Sequence, residues 1–289
     1  LLVFVVGLLV AFYVILPSMQ AYQAIHPSRR PVCCVSPADS GIDYEDVTLE
    51  TSDGLILRGW YIPSSNRAAM IVVHGFGSNR VGALPHGLML AQHGYGVLLI
   101  DLRAHGESEG EVFPFAWESD KDVLAALEYL QSRPDVDDDK IGALGLSTGG
   151  IVVLQAAVNS EYIRAVVSDG AGAPTAKDSV LANPWFLAPG IWTLFKSGEL
   201  LSGVPSAPAL VDTMSQISPR PVMLISATNG PAGEAAANRN FYAAAGDPKI
   251  LWELSDVGHV GGLFAKPEEY EARVVDFFDQ ALKEGKQVQ

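Results

Sequence analysis

A chain of 289 residues, 48% of them hydrophobic, can bury a sizeable core and has a length that α/β folds often use for one domain. Its formal charge of -14 and pI near 4.7, with no basic run longer than Arg29-Arg30, argue against a nucleic-acid partner, since phosphate binding needs a basic face. The two cysteines, Cys33 and Cys34, are adjacent and support neither a disulfide framework nor a metal site.

Leu1 to Leu16 holds no charged or strongly polar residue. It reads as a membrane segment, somewhat short of the roughly 20 residues that span a bilayer. Three readings compete: a signal anchor, a cleaved signal peptide, and a hydrophobic helix docked on the domain or on a partner. No small-x-small cleavage site follows, which favours a retained anchor and membrane association. The expected location is the bacterial inner membrane, with the side left open. Pro17, Pro27, Pro31 and Pro37 punctuate the next stretch, so residues 17–40 are expected to form a linker or arm. The catalytic domain is placed at 41–289.

Tyr44 to Thr51 and Leu55 to Ile62 alternate in polarity around Ser52-Asp53-Gly54, the pattern of a β-hairpin. Strands then alternate with helices. They run through Ala69 to Val73, a helix around Val81 to His93, Val97 to Asp101, a helix around Ser119 to Gln131, and Ile141 to Leu144. Further strands are expected at Ala165 to Ser168, Val222 to Ser226 and Ile250 to Leu254, before a last amphipathic helix around Pro267 to Leu282. Such alternation implies a mostly parallel sheet with helices on both faces. Between Gly172 and Ile217 the pattern lapses into Pro, Gly, Trp and Leu, read as a small apolar cap of short helices. The cap would lie at the carboxyl ends of the strands, where open α/β sheets bind ligands. The competing reading is an extra layer of core.

Gly145-Leu146-Ser147-Thr148-Gly149 fits Gly-x-Ser-x-Gly between a strand and a helix. A serine hydroxyl is a weak nucleophile near neutral pH, and a sharp strand-to-helix turn exposes it to a histidine that can take its proton. Ser147 is therefore the candidate nucleophile, and the Thr148 amide, next in sequence, is a candidate oxyanion donor. The acidic run Asp135 to Asp139 lacks the glycine and distal glutamate of a calcium loop. With no phosphate loop or zinc-ligand spacing, no cofactor and no metal are expected.

Four segments follow four predicted strands: His74-Gly75-Phe76-Gly77, Asp101-Leu102-Arg103-Ala104-His105-Gly106, the Ser147 elbow, and Gly258-His259. In that order they resemble the α/β-hydrolase superfamily over roughly Tyr44 to Leu282, and more loosely the bacterial membrane-anchored esterases. The resemblance implies an α/β fold, an α/β-hydrolase with an eight-stranded, mostly parallel sheet. It also implies Phe76 as the second oxyanion donor and His259 as the general base. His74 is expected to organise its loop, and His105 belongs to a structural turn. The family commonly carries an Asp after the seventh strand, but Ala227-Thr228-Asn229-Gly230 has glycine there. Glu234 is the first choice for the triad acid because its longer side chain can reach back. Asp169, after the sixth strand, is the alternative, and Asp256 is too near His259.

The activity implied is acyl transfer by a carboxylesterase, on a small-molecule ester of short or medium chain. Peptidase, thioesterase and lipase activities share the fold, the peptidase disfavoured by the absence of a propeller or other large gating domain. A perhydrolase side activity would use the same triad. The contrasting reading is a non-catalytic membrane-associated relative, which only the missing Asp supports.

Overall fold

The hairpin at Ser52-Asp53-Gly54 opens the sheet. In the computed structural model, which describes residues 2–283, β1 (Glu45–Glu50) and β2 (Ile56–Ile62) pair antiparallel with Leu49 opposite Leu57. Val47 and Leu49 point inward while Thr48 and Glu50 are exposed, as a strand with one wet face requires.

The remaining strands are β3 (Ala69–Val73), β4 (Gly96–Ile100), β5 (Ile141–Leu146), β6 (Ala165–Asp169), β7 (Val222–Ala227) and β8 (Lys249–Leu254). The order is β1-β2-β4-β3-β5-β6-β7-β8; β2 meets β4 antiparallel, and all pairs beyond are parallel. This is the eight-stranded α/β-hydrolase sheet.

The helices are α1 (Leu2–Val10), α2 (Leu16–Ile25), α3 (Arg80–Gln92), α4 (Asp120–Gln131), α5 (Thr148–Asn159), α6 (Ala176–Ala182), α7 (Ala188–Ser202), α8 (Leu210–Thr213), α9 (Glu234–Ala244), α10 (Gly262–Ala265) and α11 (Pro267–Phe278). Alternate β-strand side chains feed two cores. Ile71, Val73 and Leu98 pack with Leu127 of α4, Leu154 of α5 and Phe241 of α9. Met70, Val72 and Leu99 pack on the other face with Leu90 of α3 and Phe277 of α11. The helices α6, α7 and α8 form the insertion between β6 and β7, where Phe195 and Ala176 close over Trp117 in a small core of their own.

One boundary differs from the sequence reading. The apolar helix does not stop at Leu16; a π-type stretch, Ala11–Ile15, joins α1 to α2, and the helix runs on to Ile25. A proline inside a helix removes one hydrogen bond and crowds the preceding turn, and the wider π turn just before Pro17 accommodates both effects. The second half of this helix packs on the insertion, with Pro17, Ala21 and Ile25 buried. Tyr13 and Pro17 sit against Gly190 of α7, and Ser18 Oγ lies 2.9 Å from Ser197 Oγ. The arm beyond is fastened too: the Arg29 guanidinium donates to the carbonyls of Gly106, Ser108 and Gly110, and the Asn79 amide donates to those of Arg30 and Pro31.

Candidate active site

β5 ends at Leu146 and α5 starts at Thr148, leaving Ser147 alone to make the turn at φ 55°, ψ -118°. A non-glycine residue in this region costs about 1–3 kcal/mol and persists only where its surroundings impose it. They do so here: the Ser147 amide donates to the Asp169 carbonyl at 2.7 Å, and a Cβ on Gly149 would come within 2.5 Å of the Val73 carbonyl oxygen. Only glycine lets α5 start this close to β3.

Three side chains from three strand ends converge. Ser147 Oγ is 2.8 Å from His259 Nε2, and His259 Nδ1 is 2.7 Å from Glu234 Oε2. A carboxylate can only accept, so Nδ1 carries the proton and Nε2 is left to accept from the serine hydroxyl. The other carboxylate oxygen of Glu234 accepts from the Ala227 amide at 2.9 Å, and the side chain is buried. The hydrogen bond that His259 donates to Glu234, ahead of the opposing effect of partial burial, raises the His259 pKa above the usual histidine value, and the charges of Glu234 and Asp169 add to it.

Asp169, the alternative acid, is held elsewhere. Its buried carboxylate accepts from the Tyr270 hydroxyl at 2.9 Å and, among the described residues, makes no hydrogen bond to His259. Burial drives its pKa up to about 7; the Tyr270 hydrogen bond opposes this and the nearby Glu234 charge reinforces it. Tyr270 was not singled out by sequence, because a lone tyrosine on an amphipathic helix carries no signal beyond core packing. Asp256 follows β8 and forms a turn at φ 61°; among the described residues it makes no hydrogen bond to His259.

The loop that carries Phe76 lies against the serine: a Cβ on Gly75 would be 3.0 Å from Ser147 Cβ. Two buried histidines fix it. His74 Nδ1 donates to the Gly75 carbonyl at 2.8 Å while Nε2 accepts from the Leu102 amide; His105 Nε2 accepts from the Gly77 amide at 3.0 Å while Nδ1 donates to the Arg103 carbonyl. Both need one protonated and one bare nitrogen, and burial lowers both pKa values to about 4, keeping the rings neutral. Among the described residues, the Phe76 and Thr148 amides donate to no protein group. They remain available to a ligand beside Ser147.

A cavity of about 220 Å³ opens at this point. The strand-end loops supply Ser147, Gly170, Pro231 and His259, the first residue of α9 supplies Glu234, and the insertion supplies Ser179, Ala182 and Asn183. The insertion therefore covers the carboxyl ends of the strands. A second cavity, of about 320 Å³ between α4, α5 and residues 205–208, holds none of the convergent side chains. Among the described residues, no cluster of His, Cys, Asp and Glu could hold a metal ion.

The family model for X-Pro dipeptidyl-peptidase (S15 family) matches residues 23–257. The uncharacterized protein YfhR of Salmonella typhi is 27% identical, covering 96% of this chain and 94% of its own length. The thiohydrolase aneE of Aspergillus aculeatus is 35% identical over a shorter region, 43% of this chain and 41% of its own. Among solved structures, an esterase of Pyrococcus furiosus superposes with a TM-score of 0.74 at 25% identity, covering 89% of this chain and 100% of that one.

Proposed function

This chain belongs to the X-Pro dipeptidyl-peptidase (S15) family of α/β-hydrolases, and on that premise we propose that it is a serine hydrolase acting on carboxylic esters. The observation that carries the reading is the continuous hydrogen-bonded chain from Ser147 through His259 to Glu234. Ser147 Oγ attacks the ester carbonyl as His259 Nε2 takes its proton. Glu234 keeps the ring in the tautomer that leaves Nε2 bare, then stabilises the imidazolium. The Phe76 and Thr148 amides receive the negative charge that develops on the carbonyl oxygen, a contribution of a few kcal/mol per donor in comparable sites, about 3–4. Collapse of the tetrahedral intermediate expels the alcohol, which takes the proton from Nε2. Water then repeats the sequence on the acyl-enzyme and frees the acid.

Ester is favoured over an X-Pro peptide by the charge of the cavity. A dipeptidyl-peptidase must hold a free substrate ammonium, which calls for a carboxylate in the site. The one carboxylate among the lining residues, Glu234, is already committed to His259 and Ala227. The likeness to a solved esterase agrees with this, and the partial likeness to a thiohydrolase makes a thioester the second substrate to test. Helix Leu2–Ile25, long and apolar enough to cross a bilayer, is read as a membrane anchor.

Labelling with a fluorophosphonate, followed by p-nitrophenyl esters of rising chain length beside an amide, a thioester and Gly-Pro-p-nitroanilide, tests the proposal. Labelling at Ser147 with turnover of the short and medium esters is expected. No labelling would point to the non-catalytic reading, and preferential cleavage of the Gly-Pro amide would restore the peptidase.

A further inference from the structure

The insertion over the site turns its apolar side chains outward. Trp185 is 84% exposed, Trp192 57% and Leu200 75%. Trp185, Pro189, Trp192, Lys196 and Leu200 recur every three or four residues from the 3-10 turn Trp185–Leu187 through α7, so they share one stripe. Phe195 and Gly198, elsewhere on the helix circumference, are buried. The stripe therefore faces away from the core. Single exposed apolar residues are ordinary, but a continuous stripe with two tryptophans marks a contact surface.

The N-terminal helix says what lies against it. Leu2–Ile25 has a mean hydropathy of 2.5 in its most apolar window, and only 6% of that window is buried. Past the exposed run from Leu2 to Val10, the same helix is fastened to α7 through Tyr13, Pro17 and Ser18. A bilayer that receives the first part of the helix thus ends where the helix meets α7, with the stripe beside it. Tryptophan suits that depth, its ring among the lipid headgroups and its N–H still within reach of a partner. Lys196 can lay its stem on the apolar surface and keep its ammonium at the headgroups.

The route to the cavity is short. Ala182 and Asn183 line it, and the chain passes from Asn183 through Pro184 directly into Trp185 and Phe186. We infer that the outer face of the insertion docks on the bilayer that holds the N-terminal helix, and that the substrate is an acyl ester of an amphiphile taken from that bilayer. The substrate half rests on the serine-hydrolase reading above; the docking half does not.

The test uses the full chain in vesicles of phosphatidylcholine with a minority of phosphatidylglycerol, their acyl chains brominated. Of the five tryptophans, Trp60, Trp117 and Trp252 are buried in the protein, so emission that brominated lipid quenches reports Trp185 and Trp192. Partial quenching is expected in the parent protein and none in Trp185→Gln/Trp192→Gln. The same double variant should hydrolyse a long-chain ester embedded in the vesicles about tenfold more slowly, equivalent to about 1.4 kcal/mol of interfacial binding, with p-nitrophenyl acetate unaffected. Absence of lipid quenching overturns the docking; so does shielding of both tryptophans from aqueous iodide without lipid quenching, which would mean a protein covers the stripe. An equal fall on both esters overturns the substrate assignment, since the tryptophans would then be shaping the site. Quenching without hydrolysis of either ester by the parent protein would sink the serine-hydrolase reading while the membrane contact stands.

Discussion

The carboxylate of Glu234 fills the space that a side chain on residue 230 would need: a Cβ built on Gly230 would lie 2.1 Å from Glu234 Oε2. Gly230, which stands where the α/β-hydrolase resemblance implies an Asp, is thus the opening through which a carboxylate from the first turn of α9 reaches His259. Gly230→Ala should displace that carboxylate and lower kcat by about 100-fold without unfolding the protein, because the clash is with a side chain at the site. Gly230→Asp combined with Glu234→Ala should recover turnover relative to Glu234→Ala alone. Failure of that rescue would show that position 230 cannot orient the histidine.

Glu234→Gln keeps the shape of the side chain but removes the charge that stabilises the imidazolium. The expected loss in kcat is about 10²–10⁴-fold with little change in KM. Because Glu234 is what holds the His259 pKa up, and His259 must be neutral to accept a proton, the acid limb of kcat/KM should lie above the ordinary histidine range and move to lower pH in the variant. Asp169→Asn should be much milder. A pH-rate profile with the opposite ranking of the two variants would move the acid to β6.

Ser147→Ala should abolish ester hydrolysis and fluorophosphonate labelling. The strained turn at φ 55° is held by backbone contacts that alanine keeps, so the thermal midpoint should change little. Residual turnover near the parent level would remove Ser147 from the mechanism.

Asp169 carries a stability signature separate from catalysis. Burial raises its folded pKa to about 7, far above the value of about 3.9 in an unfolded chain. Between these values the native state binds the extra proton, so this contribution is full below the unfolded pKa and is lost as pH rises through the folded one. Urea unfolding of the parent should therefore lose stability from about pH 4 to about pH 7, and Asp169→Asn, which can still accept from Tyr270, should flatten that slope. Parallel profiles for the two proteins would contradict the assignment.

Strands and motifs were legible because their signals are local. β3, β5 and β7 are short apolar runs bounded by turns, and the elbow needs glycine at positions set by backbone contact. Glu234 could be reached by asking which carboxylate near β7 is long enough to replace a missing Asp. Tyr270 could not, since its partner Asp169 is remote in sequence and its spacing is that of any buried aromatic. Pro17 misled for a physical reason: proline normally ends a helix, and the π turn that spares it leaves no mark in composition. The contacts of Pro17 and Ser18 with the insertion were invisible for the same reason, because they exist only once the helix continues.

That continuation sets where the chain can be cut. Removing residues 1–15 takes away a mostly exposed apolar run, of which Tyr13 rests on Gly190, and should leave a folded, active enzyme that no longer sediments with membranes. Removing residues 1–40 also takes away the buried side chains of Pro17, Ala21 and Ile25, breaks the bond from the Phe113 amide to the Ile25 carbonyl, and frees the carbonyls that Arg29 holds. Burying one isoleucine contributes about 1.5–3 kcal/mol, so the deeper cut should lower the thermal midpoint markedly and expose the inner side of α7 to aggregation. Thermal melts and sedimentation of the two shortened chains decide the matter. Equal midpoints would mean that the second half of the helix contributes nothing to the hydrolase domain, and its packing on α7 would lose its structural meaning.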